Sequence, residues 1–114
     1  MRWYEKLYVG ERAKKHRFSM IQSIRDGQAF GEYILTPASN EKNILDLYPA
    51  YALRQPYYKE QDLLILGIAA DYLDAAELAG RIISRMYRKT GAFDLRAFLR
   101  DECPETDAPD RGKE

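Results

Sequence analysis

A chain of 114 residues with 46 % hydrophobic content and nine tyrosines is long enough for one modest core and too short for two, so a single domain is expected. The longest apolar run falls far short of the roughly 18 residues of a membrane span, Met1–Glu5 holds no secretory-signal core, and the lone cysteine, Cys103, cannot form an internal disulfide. These observations exclude a helical membrane protein and a disulfide scaffold and point to the cytoplasm. The formal net charge of zero is unevenly spread, with +4 over residues 1–100 and −4 over residues 101–114.

In chain order, Trp3 to Val9 alternates loosely, with Trp3, Leu7 and Val9 toward a core and Tyr4, Lys6 and Tyr8 on a wetter side, which predicts a first strand. Glu11 to Asp26 is polar and basic, with a narrow stripe of Ala13, Arg17, Met20, Ile21 and Ile24 at helical spacing and Gly27 as its stop, so a first helix is expected. Gly31 to Thr36 reads as a short strand that Pro37 prevents from continuing as a paired central strand.

The stretch from Ala38 to Gln61 is too long for a structureless loop in so small a domain and must carry elements of its own. A helical turn capped by Ser39 or Asn40 and running to Leu47, followed by a short helix over Ala50–Gln55, is one reading; an extended Ile44–Tyr48 is the alternative. Leu63 to Ala69 is apolar without alternation, the mark of a central strand buried on both faces.

From Tyr72 the period becomes helical. Tyr72, Ala75, Ala76, Ala79, Ile82, Ile83, Met86 and Tyr87 form one face, and Asp74, Glu77, Arg81, Arg85 and Arg88 fall on the other. Asp71 suits the N-cap, and Gly91 the left-handed position that ends the helix. Phe93, Leu95, Phe98 and Leu99 are spaced for a last short helix, and from Asp101 onward the acidic, proline-containing sequence predicts a disordered tail.

The expected architecture is therefore an α/β domain, on the border with α+β, over residues 1–100. It is a small two-layer sandwich with about three main strands, split βαβ-like topology and helices mostly on one face. A right-handed crossover would make the first two strands parallel, with the strand at 63–69 between them. The succession LYVGE, GEYILTPASN, QPYY before LLILGIA, YLDAAELAGRII and TGAFDLRAFL resembles a group of short uncharacterised cytoplasmic proteins of anaerobic Gram-positive bacteria, over Leu7 to Leu99. That resemblance implies a bacterial cytoplasmic domain and brings no activity with it.

Few residues offer chemistry. Gly67-Ile68-Ala69 lacks the further glycines of a phosphate-binding turn and precedes a helix whose first turns are acidic, so a close-packed strand-to-helix turn is expected there. His16 lies among Lys14, Lys15 and Arg17 with no base or nucleophile beside it except Ser19, and Cys103 lies beside Asp101 and Glu102, which would raise its thiol pKa. No spacing supplies three or four metal ligands; Glu32, Asp46, Asp62 and Asp71 would have to converge in space to make a carboxylate site. No catalytic residue, cofactor, metal or small-molecule ligand is predicted, and the balance leans away from an enzyme.

Two surfaces are candidates for partners. Tyr48, Tyr51, Tyr57 and Tyr58, with Arg54 among them, concentrate the residue types favoured at protein interfaces, which suggests an interaction or regulatory module that self-associates as a homodimer. The alternative is nucleic-acid binding by the basic helices 11–26 and 72–90, through Arg12, Lys14, Lys15, Arg17, Arg81, Arg85 and Arg88, provided both helices cover the same face of the sheet.

Overall fold

The computed structural model describes residues 1–39, 43–59 and 62–102. Four strands, β1 (Arg2–Val9), β2 (Tyr33–Pro37), β3 (Leu45–Pro49) and β4 (Leu64–Ala69), form one mixed sheet in the order β1-β4-β2-β3. The helices are α1 (Arg17–Arg25), the single turn α2 (Pro56–Lys59), α3 (Tyr72–Thr90) and α4 (Leu95–Glu102), with 3-10 segments at Glu11–His16 and Ala50–Arg54. This is a small compact α+β domain, as expected.

β4 takes the central place that its unbroken apolar run requires: Ile65, Leu66, Ile68 and Ala69 are fully buried. It pairs parallel with β1 and antiparallel with β2, so β1 and β2 run in opposite directions. The expected parallel pair of strands one and two is thus corrected. The chain does not cross directly from β1 to a parallel neighbour; it first makes the β2–β3 hairpin and returns through β4.

That hairpin also corrects the helical reading of the linker, since Leu45–Pro49 is extended, the alternative noted for this stretch. The register explains why: Leu45 and Leu47 join the cluster under α3, while Tyr48 and Ala50 join the opposite cluster, an alternation only a strand provides. Pro37 does not keep β2 from being central. β2 pairs with β4 only through Leu35, so the missing N–H of Pro37 falls beyond that ladder, against Leu45 of β3.

Each face of the sheet has its own core. On one, Leu35 and Ala69 meet Ala75, Leu78, Ala79, Ile82 and Met86 of α3 and Phe98 and Leu99 of α4. On the other, Ile34 and Ile68 meet Ala13, Met20 and Ile24 from the 3-10 segment and α1. β1 serves both: Trp3, Leu7 and Val9 pack on the α1 side, whereas Tyr4, expected on the wetter side, is buried and donates its hydroxyl to the Leu99 carbonyl at 2.8 Å. Gly67 allows α3 to sit close, because a Cβ there would lie 3.0 Å from the Tyr8 carbonyl and 3.2 Å from Leu78 Cδ2.

The ends of α3 follow the sequence. Asp71 caps it by accepting the Asp74 N–H at 2.9 Å, and Gly91, at φ +72°, donates its N–H to the Tyr87 carbonyl at 2.7 Å. The boundary expected at residue 100 moves. Asp101 and Glu102 complete α4, because the Glu102 carboxylate is buried against α3, where Arg85 donates to both its oxygens at 2.8 and 3.3 Å and Lys89 also pairs with it. Cys103 and the rest of the expected tail lie outside the described residues.

Candidate functional site

The tyrosine-rich stretch folds as the end of β3, a 3-10 turn and α2. Pro49 ends the strand, and its extended backbone leads into Ala50–Arg54, where Ala50 and Ala52 turn inward and Tyr51 and Arg54 turn out. The predicted residues split between two roles. Tyr48 and Tyr58 are half-buried with rings 5.3 Å apart; Tyr57 stands on Tyr58 edge-to-face at 5.0 Å and is 65 % exposed. The Tyr48 hydroxyl donates to Asp46 Oδ2 at 3.0 Å, and burial, then the Asp46 carboxylate, raises its pKa above the usual phenol value.

Arg54 is tied to the fold rather than free for a partner, since its guanidinium donates to the buried Ala29 carbonyl at 3.0 Å. Tyr51 is exposed, and 6.3 Å from its ring lies Phe30, a residue the sequence reading missed and 78 % exposed. The stretch therefore exposes three rings in two groups, Phe30 with Tyr51, and Tyr57 on the half-buried Tyr58 and Tyr48. Phe30 was illegible because it sits in the irregular loop between α1 and β2, where no periodicity assigns it a face.

The basic residues are divided between surfaces. α1 and α3 pack on opposite faces of the sheet, while the 3-10 segment that precedes α1 brings Arg12 and Lys14 against α3 through Asp71 and Glu11. Several of the cations already hold carboxylates: Arg12 pairs with Asp71, Glu11 takes both Lys14 at 3.0 Å and Arg81 at 3.2 Å, and Arg85 is committed to Glu102. Arg17 lies over the exposed Phe18 ring at 5.9 Å, and Lys15 and Arg88 are exposed on separate elements.

The four carboxylates that might have converged do not. Glu32 accepts the Phe30 N–H at 2.9 Å, Asp46 the Ser39 N–H at 2.9 Å, Asp62 binds Arg2 at 2.9 Å, and Asp71 caps α3. One cleft, about 780 Å³, opens between the start of β1 and β4, the end of β2 and helix α4, and its charged lining is Arg2 with Asp62 and the exposed Arg96 and Arg100. His16 edges a shallower hollow with Ser19 and Glu32, but the Ser19 hydroxyl donates to the His16 carbonyl, not to its ring. Among the described residues no group of three or more His, Cys, Asp or Glu is placed to hold a metal, and no helix is long and apolar enough to cross a membrane.

One polar residue is placed against expectation. Asp74, assigned by periodicity to the outer face of α3, is fully buried. Its Oδ2 accepts the Ala70 N–H at 2.9 Å and its Oδ1 the Arg12 N–H at 3.3 Å, so one carboxylate ties the turn after β1 to the turn after β4. Gly10 makes room for it, since a Cβ there would lie 2.2 Å from Asp74 Oδ2. Backbone donors at two chain turns are invisible in the sequence of a third element.

Comparison with known proteins gives no match to a family model, a curated protein or a solved structure.

Proposed function

We propose that the chain is a bacterial cytoplasmic interaction or regulatory module without catalysis of its own, which self-associates and offers the exposed rings of Phe30, Tyr51 and Tyr57 to a protein partner. The observation that carries this reading is the exposure of three large rings on neighbouring elements, Phe30 beside Tyr51, and Tyr57 standing on the half-buried Tyr58, which in turn meets Tyr48. Aromatic side chains held in this way give contact area at low entropic cost, the property that enriches them in interface hot spots. The dispersal of the carboxylates and the commitment of most candidate cations to ion pairs support an interaction role over acid–base chemistry or phosphate contact.

The test pairs affinity capture with a fold control. Wild-type protein and Tyr51→Ala/Tyr57→Ala, shown to melt alike, are used as baits in a lysate. A stoichiometric protein recovered by wild type and lost with the variant supports the reading; identical recoveries from both refute the site.

A further inference from the structure

α3 carries an apolar flank that its own chain leaves uncovered. Tyr72 is 57 % exposed, Leu73 66 %, Tyr87 52 %, and Phe93, stacked on Tyr87 at 5.0 Å, is 56 % exposed. Between these aromatic ends the same side of the helix presents Ala76, Gly80 and the half-buried Ile83. Tyr33 of β2 meets the Tyr72 ring edge-on at 5.7 Å, so that end of the flank is braced from beneath.

Gly80 has no purpose within a single copy. It sits in the interior of a 19-residue helix, its φ is not positive, and a Cβ added there would meet nothing within 4 Å. A glycine in such a place weakens a helix relative to alanine, and close approach of another backbone is the usual reason to keep one. The residues around it are also arranged symmetrically. Counting outward from the midpoint between Ala79 and Gly80, Ala76 is matched by Ile83 and Tyr72 by Tyr87. A two-fold contact demands this kind of self-complementarity, because residue i must meet residue j while j meets i.

We propose that two copies of the chain pair through α3, antiparallel, about a two-fold axis passing between Ala79 and Gly80. Tyr72 of each copy packs on Tyr87 and Phe93 of the other, and the small residues let the helix backbones approach at the axis. The charges favour this direction. Of the exposed α3 charges in no ion pair among the described residues, Glu77 lies in the first half and Arg88 in the second, so an antiparallel pair, which also opposes the two helix dipoles, brings opposite signs nearer than a parallel pair does. The area suits a modest dimer: four half-exposed large side chains offer roughly 100 Å² each, and with Ile83, Gly80 and the flanking polar residues the contact approaches the lower range of specific interfaces, about 600 Å² per partner. A dissociation constant in the micromolar range is expected for an interface of that size.

This inference rests on the self-association in the proposed function and gives it a surface distinct from the tyrosine-rich stretch. The test is sedimentation equilibrium of the full chain from low to high micromolar concentration, with Gly80→Arg as the key variant and thermal melting as its fold control. A helix former placed in space open within one copy leaves the melting temperature of the monomer unchanged or higher, while the dissociation constant of the dimer rises at least tenfold. Cross-linking fixes the register: in a Cys103→Ser background, Gly80→Cys forms an intermolecular disulfide on mild oxidation, and Ser84→Cys, whose counterpart across the axis is Ala75, does not. A wild-type chain that stays monomeric throughout overturns self-association as a whole. A dimer indifferent to Gly80→Arg, or equal cross-linking at both positions, overturns this interface and leaves the association itself standing.

Discussion

Asp74 and Gly10 form a pair whose energetics can be worked from the structure. Asp74→Ala removes the acceptor for the Ala70 and Arg12 backbone N–H groups. Leaving a part-buried donor unsatisfied costs about 1–3 kcal/mol, so two such losses, reduced by whatever water reaches them, cost about 2–4 kcal/mol. Gly10→Ala acts in the opposite sense, by filling. Its methyl would lie 2.2 Å from Asp74 Oδ2 and 2.6 Å from Cγ, and the carboxylate is held by its hydrogen bonds and cannot turn away. Overpacking of this kind costs about 1–3 kcal/mol. The two substitutions remove each other's damage in part, because the alanine methyl at position 10 enters space that the carboxylate has vacated. Urea unfolding of the four proteins at neutral pH measures the cycle, and the double variant should be more stable than the sum of the singles predicts by about 1–2 kcal/mol. Strict additivity would show that Gly10 and Asp74 are not in contact and would remove the account of this turn.

Ile65→Ala, at a fully buried position in the central strand, should cost about 2–5 kcal/mol, while Tyr51→Ala/Tyr57→Ala should stay within about 0.5 kcal/mol per site, as thermal melts will show. Glu102 has its pKa held below the usual carboxylate value, chiefly by the hydrogen bond from Arg85 and then by Lys89. Its contribution is therefore present above the unfolded-state value near 4.5 and is lost as the pH falls through the lower folded-state value. Arg85→Met/Lys89→Met should flatten the acid limb of the stability–pH curve and lower stability at pH 7, because the Glu102 carboxylate loses both cations. Cutting the chain after Glu102, which keeps this anchor, should leave nucleic-acid affinity by fluorescence anisotropy as weak as that of the full chain; salt-sensitive tightening would restore the basic-surface reading.

The parts of the fold that were legible in the sequence are those with a local cause. β4 announced itself by an apolar run without alternation, and α3 by its period, the Asp71 cap and Gly91. β3 was ambiguous because Leu45–Pro49 is too short to separate a period of two from one of 3.6 without knowing what lies on each side. The direction of β2 was misread for a related reason: the crossover rule applies only if the chain returns parallel, and the β2–β3 hairpin intervenes. At the surface, the outward turn of Tyr51 and Tyr57 agreed with composition, but Arg54 did not, since its partner is a carbonyl 25 residues away. The stripe assigned to α3 was drawn too wide. Leu78 and Asp74 belong inside it, and Tyr72 and Tyr87 lie at its dry-to-wet border, where helical spacing alone cannot decide.

The adjacency of the first strand to the fourth sets the order in which this molecule can assemble. β2 and β3 are neighbours in sequence and can meet early, and β4 can add to that hairpin as soon as it is made. β1 precedes the other strands yet, among the described residues, pairs only with 64–69, and Tyr4 has its hydroxyl acceptor at Leu99. The oldest strand is therefore the last to dock, and it waits as an extended chain until nearly the whole domain has left the ribosome. Closing so long a loop late makes folding slow for a domain of this size, and it exposes the open edge of β4 during that interval.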